Sequence, residues 1–432
     1  MQPSTDKETR YTVLKTLGWF YIAVGLVSNP WVIGRLLSSN GSIDEPGSKG
    51  IIWLFEVLVI VFGILSIKKG KTELIINLNL LVWTVIIITP LLGEMMFRTG
   101  IALNIKRFKS PSLYADSSSD NDYWNLQRIW EGWQSSAFVN KNGKGLLRKS
   151  ERVHPLLGWA EANITENNPF GLQEDALKQM ERADPKILFY GDSFVKGASD
   201  KEFQIPKYMD RKMDGVDVVD LGVGGYGLDQ IYLLFKETYQ KAANPLIVVG
   251  ILANDDLDRT ILSVRTSQKP YFVIDAAGDL QLKGIPIEKD QQRYFQHHPL
   301  SMKSYLVAFL KQKWSKKENK LNTKKRISSE LLERFKTDAH TAQNELLFVM
   351  FYGQQSLRKT DWQDEFLKEK LDQMGAHYID TKELLLQYAQ ENHLELSSFY
   401  VQGNGHHNNL GNQVIAEGII NYIRAHKLIK TV

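Results

Sequence analysis

Ile187-Leu188-Phe189-Tyr190-Gly191-Asp192-Ser193-Phe194 is the stretch on which the fold turns. Four apolar residues in a row suit a strand buried on both faces, and the glycine and polar pair after them end it. A serine at the carboxyl end of a strand, ahead of a helix, has an exposed hydroxyl and a helix N-terminus that favours developing negative charge. That is a nucleophile's position; the plainer reading of Ser193 is a helix N-cap. Short apolar runs recur at 216–221, 246–251, 346–351 and 378–379, separated by amphipathic or turn-rich segments. Runs spaced this way predict parallel strands, hence an α/β, three-layer doubly wound domain with its site off the carboxyl ends of the strands.

Three further segments sit at such ends. After the second run comes Asp220-Leu221-Gly222-Val223-Gly224-Gly225-Tyr226-Gly227, whose glycines let backbone N–H groups face a site. A dinucleotide phosphate turn belongs after the first strand instead, so that reading does not fit. The third run ends in Ala253-Asn254-Asp255-Asp256. Asn254 can donate a side-chain N–H to an oxyanion; Asp255 and Asp256 can alternatively be read as metal ligands, without a histidine cluster beside them. Near the C-terminus stands Gly403-Asn404-Gly405-His406-His407-Asn408-Asn409-Leu410-Gly411, leading into an amphipathic segment. Adjacent histidines suggest metal, but neighbours on an extended loop point apart.

In this order the four segments resemble the blocks of the SGNH (GDSL-like) hydrolase superfamily: Gly191-Asp192-Ser193 the first, Gly225 the second, Asn254-Asp255 the third and the His406 loop the fifth. The resemblance covers about residues 183–425 and implies a flavodoxin-like sheet. It implies Ser193 as nucleophile, and an oxyanion hole from the N–H groups of Ser193 and Gly225 with the Asn254 side chain. His406 would be the general base and then the acid. The family pattern Asp-Gly-His-X-Asn-X-X-Gly aligns without a gap on residues 404–411, which puts His407 at the variable position and Asn404 where the orienting aspartate stands. The lead-in His154-Pro155-Leu156-Leu157-Gly158-Trp159 and the Lys269-Pro270 segment also look like a bacterial membrane-tethered subgroup. The implied activity is a membrane-anchored serine esterase that forms an acyl-enzyme with esters of envelope polysaccharide or lipid, without a cofactor. The alternatives are an O-acyltransferase using the same intermediate and a non-catalytic subunit of a membrane assembly, which Asn404 favours.

The chain has 432 residues, enough for two or three domains, and no cysteine, which excludes disulfides, thiolate metal sites and a cysteine nucleophile. Its 53 Lys+Arg against 49 Asp+Glu leave +4, so a nucleic acid held by bulk charge is not an expected partner. Apolar stretches at 16–33, 51–67 and 74–96 predict a bundle of three transmembrane helices, in which Glu56 and Glu94 are the ionisable exceptions. Lys68, Lys69 and Lys71 in the tight turn between the second and third place that turn and the N-terminus in the cytoplasm, and everything after residue 97 outside. The expected organisation is a membrane anchor over 1–100, a linker and lead-in over 101–182, and the hydrolase-like domain over 183–432 with an insertion at about 259–343. Within these, 110–122 read as a solvated linker, and Trp124, Trp130 and Trp133 as headgroup-level rings or packing for the downstream domain. The lysine-dense run from Lys311 to Arg326 reads as a solvated helix face, or as a contact for anionic lipid headgroups. The expected location is the bacterial plasma membrane with the catalytic domain outside. The expected partners are an envelope acyl ester and membrane lipid; protein partners are not indicated.

Overall fold

The five apolar runs of the C-terminal half form one parallel sheet: β1 Lys186–Gly191, β2 Asp217–Gly222, β3 Leu246–Leu252, β4 Leu346–Phe351 and β5 His377–Asp380, in the order β2-β1-β3-β4-β5. Every residue of β1 and β3 is buried, as unbroken apolar runs require of interior strands. The register sets Leu188 opposite Ile247, Val249 opposite Phe348 and Val349 opposite Ile379. One helical layer includes Leu228–Thr238 and Glu318–Thr341, joined through Phe235 and Phe335, with Phe335 edge-on to Phe348 of β4. The other includes Ile205–Lys212, Thr381–Glu391 and Asn409–His426, which pack together. The chain leaves β1 toward β2 on one side and resumes with β3 on the other. The strand order therefore reverses between β1 and β3, and a crevice opens at their carboxyl ends.

The computed structural model describes residues 4–37, 43, 46–131, 152–161, 164–182, 185–263, 268–288, 290–314 and 318–429. The chain divides into two compact units, one from residues 1–115 and 301–321, the other from 116–300 and 322–432, which holds the sheet. Residues 301–321, inside the expected insertion, thus group with the N-terminal helices.

In that first unit the helices are α1 Ser4–Val27, α2 Pro30–Leu37, α3 Pro46–Lys69 and α4 Glu73–Ala102. The stretch expected as one helix over 16–33 is two. The helix stops at Val27, and Asn29 Oδ1 accepts from Trp31 N at 3.1 Å and Val32 N at 3.0 Å to start another at Pro30. Asparagine before proline is a helix-start signal that outweighs continuous apolarity. Among the described residues two helices, α3 and α4, are long and apolar enough to cross a membrane; the apolar part of α1, Tyr11–Val27, is shorter. A buried polar contact joins α1, α3 and α4. Tyr21 donates to Asn79 Oδ1 at 3.0 Å, and Asn79 Nδ2 donates to Ser66 Oγ at 3.0 Å. Glu56 is half-buried on α3. Glu94 accepts from Ser304 Oγ at 2.8 Å and Leu306 N at 2.9 Å, and so caps the helix Tyr305–Trp314.

The expected solvated linker is instead partly core. Ser117 and Ser118 are buried, Ser118 Oγ donates to Ile261 O at 2.5 Å, and Ser263 N donates to Ser117 Oγ at 3.2 Å. Serine hydroxyls there satisfy the backbone of a turn some 140 residues away, a pairing that local composition does not encode. Trp124 is buried, while Trp133 and the lysines at 316 and 317 lie outside the described residues. The lysine-rich run is divided. Lys311 and Lys313 are exposed, Lys324 pairs with Asp258 at 2.7 Å, and Lys325 lies 5.6 Å over the Trp362 ring.

Gly18 of α1 and Gly63 of α3 let these helices touch backbone to backbone: a Cβ on either would lie 2.7 Å from the other's carbonyl oxygen. Gly63→Val should therefore separate α1 from α3 and lower the thermal midpoint of the detergent-solubilised protein. Gly50→Val on the same helix, where a Cβ meets nothing within 4 Å, should leave the midpoint near that of the parent.

Candidate active site

β1 ends at Gly191, and Asp192 rather than Ser193 caps the helix Ser193–Lys196, its Oδ1 accepting from Phe194 N at 2.7 Å. The Ser193 hydroxyl is therefore not spent on capping. It lies 2.8 Å from His406 Nε2, across 213 residues of sequence, and His406 Nδ1 lies 2.5 Å from Asn404 Oδ1. An amide oxygen only accepts, so Nδ1 carries the hydrogen and Nε2 presents its lone pair to the serine hydroxyl.

The loop that delivers His406 is shaped by local backbone chemistry. Val401 N donates to His406 O at 2.8 Å and Asn408 N to Phe399 O at 2.9 Å, which closes a tight loop. At its tip Gly403 and Gly405 take φ of +73° and +80°, a region open to glycine at no steric cost. Asn404 between them is thereby set beside His406. Asn408 ends the loop as the cap of Asn409–His426, accepting from Gly411 N at 3.1 Å. His407, paired with Tyr400 in a single antiparallel bridge, points the opposite way. It is buried among Phe194, Phe351 and Tyr400. Burial, helped by the nearby His406 ring, pushes its pKa from 6.5 down to about 3.

A cavity of about 520 Å³ opens at the serine, with Ser193, Asn254, Asn404 and His406 among its lining residues. Asn254 Nδ2 donates to Asp361 Oδ2 at 3.0 Å; an amide nitrogen has two hydrogens, so a second remains for a ligand. Gly225 is buried and is not among the residues lining this cavity. Among the described residues neither its N–H nor that of Ser193 has a hydrogen-bond partner.

Two groups that sequence reading did not single out hold these pieces in place. Arg259 Nη1 donates to Asp192 Oδ2 and Asp256 Oδ1, both at 2.9 Å, and to Tyr226 O at 3.2 Å; Nη2 donates to Asp255 Oδ2 at 2.8 Å. The pair considered as metal ligands is thus taken up by a guanidinium. Burial works against the charge of Arg259, but its three carboxylates outweigh that and raise its pKa. The signal was present in the sequence, since Asp255 and Asp256 precede Arg259 by four and three residues. Glu161, just after the lead-in segment, is the second group. Its Oε1 accepts from Gly224 N at 3.1 Å, it pairs with Lys196, and Trp159 Nε1 donates to Gly224 O at 3.1 Å. The lead-in therefore braces the glycine-rich turn from behind.

An open α/β sheet with a serine–histidine pair at its switch point defines the class of this unit, and the SGNH resemblance implies both features. No family model matches the chain, and no curated protein does. The fold is similar to solved structures. One is a member of the lipolytic G-D-S-L family from Veillonella parvula, at 11% identity, covering 55% of this chain and 96% of that one, with a TM-score of 0.32. Another is a lipase/acylhydrolase from Enterococcus faecalis, at 16% identity, covering 57% and 97%, with a TM-score of 0.32. A third is an acetylxylan esterase from Geobacillus stearothermophilus, at 11% identity, covering 57% and 96%, with a TM-score of 0.32.

The buried His407 makes a prediction about pH. Between its folded value of about 3 and its ordinary 6.5, the unfolded chain binds a proton that the folded chain refuses. Its contribution to stability is therefore complete above about 6.5 and is lost as pH falls, at up to about 1.4 kcal/mol per pH unit. Denaturation of wild type and His407→Phe between about pH 7.5 and about pH 5 should show the steeper acid loss in wild type.

Proposed function

We propose that this protein is a membrane-anchored serine esterase that removes short acyl groups from envelope polysaccharide. The observation that carries the reading is the row Ser193–His406–Asn404 at the mouth of the cavity. Ser193 Oγ attacks the ester carbonyl as His406 Nε2 takes its proton. The oxyanion is held by the Ser193 N–H and the second hydrogen of Asn254 Nδ2, both on residues that line the cavity; the Gly225 N–H, which the resemblance adds, belongs to a residue that does not line it. His406 returns its proton to the departing alcohol, and a water activated by the same nitrogen hydrolyses the acyl-enzyme.

Cavity chemistry favours a glycan ester over a lipid. Apart from Phe194 and Leu252, every lining residue is polar, charged or glycine. A long acyl chain is stabilised by about 0.8 kcal/mol per CH₂ only where an apolar wall receives it, and two apolar side chains make no such wall. An acetyl-sized group against Phe194, with a sugar among Asn254, Gln354 and Gln355, matches the lining.

Membrane anchoring is supported by apolar side chains that stand free on α3 and α4, among them Trp53, Phe55, Leu58, Leu81 and Ile87, each more than half exposed. A water-soluble fold does not leave such belts uncovered. With the Lys68–Lys71 turn in the cytoplasm, the sheet-bearing unit lies outside.

Asn404 favours a second reading, a non-catalytic subunit, because an amide fixes the imidazole tautomer without the full charge that steadies imidazolium. One experiment separates the two. A fluorophosphonate should label the purified protein at Ser193 alone, and Asn404→Asp should raise ester turnover roughly ten- to a hundredfold, short of the about 10⁴ that losing the acid costs a working triad. Absence of labelling in both forms, with the fold intact, would favour the subunit. Labelling that persists in Ser193→Ala would overturn the assignment.

Topology is tested separately in this cysteine-free chain. In intact cells a membrane-impermeant maleimide should label Lys283→Cys, an exposed site in the sheet-bearing unit, and not Lys69→Cys. The reverse pattern would invert the orientation.

A further inference from the structure

The sheet-bearing unit contains a second cavity, of about 480 Å³, built without any of the strand-end segments that form the serine site. Its walls come from the helix Asn121–Glu131, residues 268–271, the loop at 284–288 and the helix Gln291–His297 with His298 beyond it. These are the Trp-rich segment, the Lys269-Pro270 segment and part of the insertion, none of which supplies a residue that lines the serine cavity beside Ser193 and His406. The volume falls within the about 300–1,000 Å³ of small-ligand sites.

The lining mixes ring faces with hydrogen-bonding edges. Tyr294 stacks on His298 with centroids 4.5 Å apart, and Tyr271 and Trp124 add further rings. His297 Nδ1 lies 2.9 Å from Arg293 O, and His298 Nδ1 lies 3.0 Å from Tyr294 O. A carbonyl only accepts, so both imidazoles carry their hydrogen on Nδ1 and offer Nε2 as an acceptor. Gln268 adds an amide and Glu288 a carboxylate. Arg293 brings a guanidinium that, among the described residues, has no carboxylate within ion-pair distance. Several acceptors, one free fork of donors and aromatic faces together suit a ring that carries many hydroxyls and presents C–H groups between them. An acyl chain would leave these polar edges unpaired, at about 1–3 kcal/mol for each one desolvated.

We propose that this cavity is a saccharide-binding site that takes one or two sugar rings, separate from the serine site. Lys269 connects the two. It lines this cavity, is buried and paired with Asp229 at 2.7 Å, and donates to the backbone carbonyl of Arg259, which lines the serine cavity. A glycan held here is therefore held one lysine side chain away from a wall of the catalytic crevice. The proposal goes beyond the esterase reading and does not require it, because binding is measured where no ester can turn over.

The test is calorimetric titration of the full chain in detergent, carrying Ser193→Ala, with xylotetraose, mannotetraose and tetragalacturonate. At least one of the three should bind. Its affinity should fall about tenfold or more with Arg293→Ala and with His297→Ala, two exposed positions whose variants should keep the parent's circular dichroism. Glu391→Ala, an exposed position that lines neither cavity, should leave that affinity unchanged. Binding of none of the three overturns the proposal. So does an affinity that falls with Gln354→Ala but not with Arg293→Ala or His297→Ala, which would place the sugar in the serine cavity alone. Phosphonate labelling of Ser193 is unaffected by either result, so failure here and failure of the esterase reading are separately visible.

Discussion

A single buried guanidinium holds the serine site together. Arg259 joins the end of β1 through Asp192, the turn after β2 through the Tyr226 carbonyl, and the end of β3 through Asp255 and Asp256. These are the three strand ends that carry Ser193, Gly225 and Asn254. A parallel sheet aligns strand ends only approximately, because each is followed by its own loop. One planar cation with a rigid fork of donors turns three loops into one surface. Removing it would leave carboxylates buried without a partner, which costs roughly 3–5 kcal/mol in comparable networks. Burial alone already pushes Asp256 well above the ordinary carboxylate range, with Asp192 adding repulsion and Arg259 opposing both.

The network extends outward by the same logic. Lys269 and Asp229 are fully buried and paired, and burial drives both toward neutrality, the lysine downward and the aspartate upward. Their pairing carries the connection from the crevice to the insertion. Glu161 and Lys196 do the equivalent behind the glycine-rich turn. The site is thus surrounded by paired charges rather than by apolar packing. Of the side chains that line the crevice, those of Asn254, Asp255, Arg259, Asn404 and His406 are each held by a hydrogen bond or ion pair.

In the first unit a small number of polar contacts likewise organises an apolar surround. Tyr21, Asn79 and Ser66 join three helices at one buried point, and Glu94 uses its carboxylate to start the helix Tyr305–Trp314. Around Phe97 the rings of Phe108, Tyr114 and Phe309 gather within 6 Å. The sheet-bearing unit and this one are connected by the chain three times, at 115–116, 300–301 and 321–322.

The strands were legible because each is an apolar run too short for a helix and closed by turn residues, and all five appear within a residue or two of where that pattern places them. The motif order also told which strand ends to watch. Sequence alone could not separate His406 from His407 by composition. The bridge at Tyr400 decides it, by turning one ring to the serine and its neighbour into the core. Nor could it show that the apolar stretch at 16–33 is two helices once Asn29 caps a new start, or that serines in an apparent linker satisfy a distant turn. Glu161 stayed hidden for the same reason, and so did the bonds of Arg259 to Asp192 and Tyr226, although its spacing from Asp255 and Asp256 was visible in the sequence. A charged residue in a chain reads as surface until the fold brings its partners from other segments, and burial then makes that partnership obligatory. Local chemistry therefore determined the strands, the turns and the reactive residue types. Which polar groups face one another was decided only by tertiary structure, because those pairings join residues up to 213 positions apart that no local pattern relates.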